Sequence, residues 1–279
     1  ESNGYLSVWH LGDTVQDEVG TLESKDTGTS LTNGIIGRAR HFPGKAGVFG
    51  GDKIPNYPVG ASPHSSEVWF RTSSANSTLV SWGNEQGQGK VVMQLRSPPH
   101  IRMDCYFSGG DVASSRLPLG DWTHVVHTYR QGESVIYVNG QPSGTNASKG
   151  SPLAIKSPAR LWLGGWYNNY NFVGDMDEVR ISNVARSAAW VRLQFANQKP
   201  QQTPVGPRVQ AGNMFSVSPE KVVVEEGRSV EFTAKAGGAQ KIYWLLKRDG
   251  REEVVATDRF SYSFAAGRVT GDTAATLQF

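Results

Sequence analysis

Six consecutive residues, Trp166-Tyr-Asn-Asn-Tyr-Asn171, set three aromatic rings beside three carboxamides. That mixture suits a sugar, whose apolar C–H faces stack on flat rings while its hydroxyls take hydrogen bonds from amides. Trp166, Tyr167, Asn168 and Tyr170 are therefore candidate ligand contacts. The same composition also builds plain interface patches, or a lid packed on its own domain. Next to it, Asp175-Met-Asp-Glu178 gathers three acids. In an extended strand Asp175 and Asp177 share a face and Glu178 points away with Met176. A glycosidase needs two carboxyls across the scissile bond, about 5–5.5 Å apart for retention and further for inversion. This spacing is wrong for that. His124 and His127, three apart in a strand, face opposite sides and form no metal pair. A Gly-x-Ser-x-Gly elbow is absent, and the single cysteine, Cys105, reads as a small buried residue.

The elements that must carry these residues are short strands. Trp122-Thr-His-Val-Val-His-Thr-Tyr129 and Ile136-Tyr-Val-Asn-Gly140 alternate apolar and polar residues around a polar break, and the second run closes on an Asn-Gly turn. Similar runs recur at 5–11, 66–71, 77–82, 90–96, 101–107 and 160–164, the pattern of a sandwich or jelly roll. On these strands Trp82, Arg71, Gln94 and Arg96 are further candidates for a binding sheet face. Trp9, Trp69, Trp122 and Trp162 read as core. A short helix is expected over 187–195, capped by Ser187, with Trp190, Leu193 and Val191 toward the sheet. Lys199-Pro-Gln-Gln-Thr-Pro-Val-Gly-Pro207 reads as a stiff linker. Beyond it, Lys221-Val-Val-Val-Glu225, Ser229-Val-Glu-Phe-Thr-Ala-Lys235 and Ile242-Tyr-Trp-Leu-Leu-Lys247 are again strand-like.

The tryptophan-histidine run, the Tyr137-Val-Asn-Gly140 turn and Phe172-Val-Gly-Asp-Met-Asp-Glu-Val-Arg-Ile181 together resemble the laminin-G-like, concanavalin A-like jelly roll of secreted bacterial proteins. The resemblance covers about two thirds of the chain. It implies an all-β fold, with a jelly roll over residues 1–198, a proline-rich linker over 199–211 and a smaller domain over 212–279. The last part resembles the front half of a bacterial immunoglobulin-like domain. It is short for that fold of roughly 100 residues, so it is expected to be incomplete, or completed from elsewhere. In the jelly-roll family the aspartate of the last strand often binds a structural calcium with carbonyls of the N-terminal loops. Here that implies Asp177 with Asp17 or Gly44, a mixed carboxylate and carbonyl oxygen set of the kind calcium accepts. The alternative is that Asp177 caps a turn and Glu178 pairs with Arg180 or Arg38. The family's glucanases carry a Glu-x-Asp-x-x-Glu strand, which is missing here and removes the best warrant for hydrolysis.

Composition narrows the partners. The net charge of +3 is small and the basic residues are scattered, which argues against nucleic acid. No run approaches the roughly 20 apolar residues that span a bilayer. Glu1 opens without a signal-peptide pattern, reading as a mature or excised segment of a larger chain. The expected function is a non-catalytic, lectin-like module of a secreted or cell-surface bacterial protein that binds a glycan or polysaccharide. The alternatives are a protein-binding adhesin or structural spacer, and then a glycoside hydrolase or polysaccharide lyase.

Overall fold

A computed structural model of the chain describes residues 3–106, 109–147, 151–199, 215–237 and 241–279. The chain divides into two units, Glu1–Thr203 and Pro204–Phe279. The predicted linker lies, apart from Lys199, outside the described residues.

Unit 1 contains β1 (Tyr5–Trp9), β2 (Lys25–Asp26), β3 (Ser30–Asn33), β4 (Arg38–Pro43), β5 (Val48–Ile54), β6 (His64–Arg71), β7 (Ser77–Gly83), β8 (Lys90–Arg96), β9 (His100–Asp104), β10 (Val112–Arg116), β11 (Thr123–Arg130), β12 (Glu133–Val138), β13 (Gln141–Ala147), β14 (Ala159–Leu163), β15 (Gly165–Trp166), β16 (Asn169–Tyr170), β17 (Val173–Ser182) and one helix, α1 (Ala188–Gln198). Two antiparallel sheets form a jelly-roll sandwich. The eight-stranded sheet runs β13-β12-β11-β6-β17-β4-β3 with β1 added on β17, and the seven-stranded sheet runs β10-β9-β8-β7-β14-β5-β2. Strict alternation decides which residues enter the core: Val68 and Phe70 from β6, Met93 and Leu95 from β8, and Leu161 and Leu163 from β14 all do. Their sequence neighbours, such as Glu67, Trp69, Gln94 and Trp162, point to the outer faces.

The alternating runs form consecutive hairpins. β11 and β12 close with Arg130 opposite Glu133. The two residues between them, Gln131 and Gly132, take φ of 52° and 80°, which matches the right-handed strand twist. β12 and β13 close through Asn139 and Gly140, at φ 49° and 77°. Asn139 is tied back to β11: its Oδ1 accepts from the His124 amide at 2.9 Å, and its own amide donates to the His124 carbonyl at 2.8 Å.

The helix lies on the outer face of the eight-stranded sheet. Ser187 Oγ accepts from the Trp190 amide and starts it. Val191 packs on Val126 and Tyr137, and Phe195 stacks on Trp69 at 5.6 Å. Gln198 Oε1 accepts from the Trp69 indole at 2.8 Å. The expected inward Leu193 instead lies in solvent, 59% exposed. The helix's 3.6-residue period aligns 191, 195 and 198 on one side and turns 193 away.

Unit 2 contains β18 (Phe215–Ser218), β19 (Ser229–Ala236), β20 (Tyr243–Arg248), β21 (Arg251–Thr257), β22 (Ser261–Ala265) and β23 (Thr276–Gln278). They form two three-stranded antiparallel sheets, β18-β19-β22 and β21-β20-β23. Trp244 is fully buried between Tyr262 and Phe279, and its indole donates to the Arg259 carbonyl at 2.8 Å.

Candidate functional site

The aromatic segment folds as a two-residue hairpin over the outer face of β7. Ser81 Oγ donates to the Gly165 carbonyl, and the Gly164 amide donates to the Leu79 carbonyl at 2.7 Å. Trp166 is opposite Asn169, so the turn residues are Tyr167 and Asn168, at φ 51° and 60°. A tyrosine in left-handed backbone is uncommon, and side-chain contacts hold it there. Its ring stacks on Trp162 at 5.0 Å, its hydroxyl accepts from the Glu85 amide at 2.9 Å, and the Arg160 guanidinium lies 4.8 Å from the ring centre. Arg160 and Trp162 are two apart on β14 and so share its outer face. Asn168 Oδ1 accepts from the Trp162 indole at 3.0 Å. Trp166 meets Trp162 and Tyr167 edge-on at 5.1 and 4.7 Å, and its indole donates to the Glu85 carboxylate. The result is a fixed platform in which Trp166 and Tyr167 are half-buried and Asn168 is exposed.

The other predicted contacts separate. Tyr170 pairs with Gly165, on the opposite side of the ribbon from Trp166. Its ring covers Gly47, where a Cβ would lie 2.4 Å from Cδ1, and burial pushes the phenol up. It is a wedge over β5, not part of the platform. Trp82 is corrected outright: it is fully buried, crosses the core to donate to Ser66 Oγ at 3.0 Å, and packs on Tyr57 and His64. Arg71 is on the other sheet. Its Nε and Nη2 donate to Asp175 Oδ2 at 3.0 and 2.7 Å, and it stacks over Trp122 at 5.1 Å, so Trp122 is half-buried on that face and not in the core. Arg96 does share the platform's face. It is exposed, its Nε donates to Gln94 Oε1 at 2.9 Å, and with Asn76, Thr78 and Asn171 it lines a shallow cleft of about 50 Å³. Asn171 closes the hairpin by accepting from the Thr78 amide at 2.8 Å. Sequence reading missed Glu85 and Arg160. The alternation of Arg160-Leu-Trp-Leu163 carried the signal for Arg160, but nothing local brings the Glu85 loop to Trp166.

The acidic strand has a different use. The backbone of β17 bulges between Asp177 and Arg180, with Glu178 at φ 51°. The bulge turns Glu178 toward Arg180, where strict alternation would have sent it inward with Met176. Arg180 donates to both Glu178 and Glu67, the latter at 2.7 Å. His124 Nε2 lies 3.0 Å from Glu67 and His10 Nδ1 lies 2.7 Å from Glu178. Burial alone would raise the Glu67 carboxyl, but the His124 bond and the Arg180 charge hold it below the usual range. These acids are buried and satisfied, which makes them structural.

The residues of the implied calcium set each have contacts of their own. Asp177 Oδ2 accepts from the Ile35 and Ile36 amides at 2.8 and 3.2 Å and caps that turn, while burial lifts its carboxyl to about 7. Asp17 Oδ1 accepts from the Val8, Val19 and Gly20 amides at 3.0, 3.1 and 2.9 Å. Gly44 sits against Val173, with Cγ2 2.7 Å from where a Cβ would be. Calcium wants oxygen donors converging on it; here one oxygen of each carboxylate is met by N–H groups, while Asp177 Oδ1 and Asp17 Oδ2 are buried without a hydrogen-bond partner among the described residues. Among the described residues, no group of three or more His, Cys, Asp or Glu could hold a metal ion. Cys105 is buried, its thiol pushed well up by burial, and is no nucleophile.

The fold and its decorated sheet face define a concanavalin A-like sandwich. The sequence profile of the concanavalin A-like lectin/glucanases superfamily matches residues 47–192, and the chain belongs to that family. Among solved structures it is similar to domain 4 of AbnA, a GH43 extracellular arabinanase from Geobacillus stearothermophilus in complex with arabinotriose. Identity is 18%, the TM-score is 0.55, and the match covers 69% of this chain and 98% of that domain. It is also similar to Trypanosoma rangeli sialidase, at 16% identity and TM-score 0.52, covering 70% of this chain and 33% of the sialidase. A third is the binding domain of Paraclostridial Mosquitocidal Protein 1, at 14% identity and TM-score 0.52, covering 84% and 64%. At these identities what is shared is the fold. No curated protein matches the chain.

Proposed function

We propose that unit 1 is a non-catalytic carbohydrate-binding module of a larger secreted or cell-surface bacterial protein, with unit 2 as an immunoglobulin-like spacer. The observation that carries this reading is the preformed Trp166–Tyr167 platform, held by Trp162, Arg160 and Glu85 at the edge of an amide-lined sheet face. A sugar ring would stack on Trp166, and the amides of Gln94 and Asn171 would meet hydroxyls. Rigid aromatic anchors lose little entropy on binding, which favours such a platform.

A protein-binding role is the second reading. Phe215 and Val223 of unit 2, 68% and 93% exposed, favour it. Hydrolysis is disfavoured because the acids near the platform are engaged: Glu85 with Trp166 and Lys90, and Asp104 with Lys90 at 3.1 Å. A glycan array with the folded protein tests the proposal. Binding to a defined sugar that Trp166→Ala weakens about tenfold or more supports it. A blank array with tight capture of a protein partner, or release of reducing ends from a polysaccharide, overturns it.

A further inference from the structure

Three arginines on the outer face of the seven-stranded sheet lack a carboxylate partner. Arg96 on β8 is the register partner of His100 on β9, and His100 is that of Arg116 on β10, so the three stand in one row. Arg102 occupies the next row, between Gln94 and Ala113. Their outward direction is fixed by their neighbours, since Leu95, Ile101, Met103 and Leu117 all enter the core. Arg96, Arg102 and Arg116 are exposed. None joins an ion pair among the described residues; Arg96 donates only to the neutral Gln94 amide. The acids of this face are spent elsewhere. Lys90 takes Asp104 and Glu85, at 3.1 and 3.9 Å. Asp111, in a cleft of about 250 Å³ with His100 and Arg102, accepts from the Cys105 amide at 2.6 Å.

Arg96 and Arg116 both face His100, and Arg102 faces Gln94 and Ala113, so no carboxylate stands opposite any of the three. Some strand arginines of unit 1 are neutralised, since Arg71 clamps Asp175, Arg40 pairs with Asp26 and Arg180 bridges Glu67 and Glu178. Arg38, Arg130 and Arg160 join no ion pair among the described residues, but they do not stand in this group of three. With strands about 4.8 Å apart, the Arg96 and Arg116 positions are separated by about 10 Å across the sheet. That spacing suits a polymer with recurring charge, and a planar guanidinium pairs best with a planar carboxylate. The Arg102 row continues through Gln94 to Thr78, whose amide donates to Asn171 beside the aromatic hairpin, so charge, amides and rings lie along one face.

We propose that the glycan bound by unit 1 is acidic, a carboxylated polysaccharide whose uronate groups meet Arg96, Arg102 and Arg116 while its ring faces reach Trp166. This rests on the glycan-binding reading. A nucleic acid fits less well, because the whole chain carries only +3, little for a backbone of dense phosphates.

The test is calorimetric titration of the 279-residue protein with oligogalacturonate, with its methyl ester, with a neutral arabinan oligosaccharide and with single-stranded DNA. The expected result is binding of the free acid that methyl esterification weakens about tenfold or more. Added salt weakens it too, by shortening the screening length from about 10 Å. Arg96→Gln, Arg102→Gln and Arg116→Gln each reduce affinity and together abolish it, while the thermal midpoint does not fall. That separates a binding role from a structural one. Neutral or esterified sugar bound equally well, with no arginine dependence, overturns the acidic assignment and leaves the glycan reading standing. DNA bound as tightly as the free acid overturns it in favour of an unselective polyanion surface. No binding of any sugar by the folded protein overturns the glycan reading, and this one with it.

Discussion

On the outer face of the eight-stranded sheet, α1 covers Trp69 and His124, and every buried acid there has a basic or N–H partner. On the outer face of the seven-stranded sheet no helix among the described residues of unit 1 intervenes, Arg96, Arg102 and Arg116 join no ion pair there, and a hairpin with left-handed turn residues displays aromatic rings. Both faces carry the same residue types at the same two-residue period. The difference is cover. Charges that a helix removes from water must be paired or they cost several kcal/mol, whereas charges left in solvent are free to wait for a ligand.

The largest effect expected from breaking this division is at Glu67. Glu67→Ala removes the shared buried partner of Arg180 and His124, leaving Arg180 only Glu178, and should lower unfolding free energy by about 3–5 kcal/mol, read as a shift in the urea midpoint. Sugar binding by the still-folded fraction should not change. A loss of binding with intact stability would move function to the covered face.

Next comes pH. Burial pushes the His64 imidazole down to about 4, against the pull of the Ser62 carbonyl. The unfolded chain binds that proton near pH 6.5. Stability from neutral His64 is therefore full above about pH 6.5 and drains as pH falls toward 4, by at most about 3 kcal/mol. His127, also pushed down by burial, adds in the same direction. Asp177, lifted to about 7 by burial, runs the other way. The folded chain keeps a proton that the unfolded chain loses near pH 3.9, so its contribution is full below that and declines as pH rises to 7. The two slopes oppose one another between about pH 4 and 6.5. Asp177→Asn should leave only the acid-side loss, seen as a steeper fall of the urea midpoint on acidification. Calcium should not shift the wild-type midpoint. A rise that Asp177→Asn abolishes would return a cation to this turn.

On the open face the expected cost is in affinity. Trp166→Ala should weaken sugar binding about tenfold, or about 1.4 kcal/mol, with the urea midpoint unchanged. An equal loss of stability would make the platform a structural lid. The smallest effect is expected at Leu193, the helix residue turned to solvent. Leu193→Ala should stay within about 0.5 kcal/mol, whereas Val191→Ala, beneath the same helix, should cost more than about 1 kcal/mol.

Much of the sandwich was legible because alternation is local: a strand's inward and outward residues follow from one period and one anchored position. The 187–195 helix and its Ser187 cap were readable for the same reason. Trp82 was not, because alternation assigns it a side but not which side is the core. The face of Glu178 was misread because a single left-handed residue shifts the register around it, although its pairing with Arg180 was one of the two readings the sequence offered. For Asp177, the sequence showed a carboxylate but not the Ile35 and Ile36 amides that one of its oxygens faces.

The sequence by itself determined the strand pattern, the Asn-Gly and Gln-Gly turns, the aromatic hairpin's composition and the membership of Trp166 and Tyr167 in an exposed segment. Only the tertiary structure decided that Arg71 and Arg96 belong to opposite faces, that Glu85 reaches Trp166, and that Arg96, His100 and Arg116 form a row. Those relations join residues on different strands, and they depend on sheet order and register, which many distant pairings fix together.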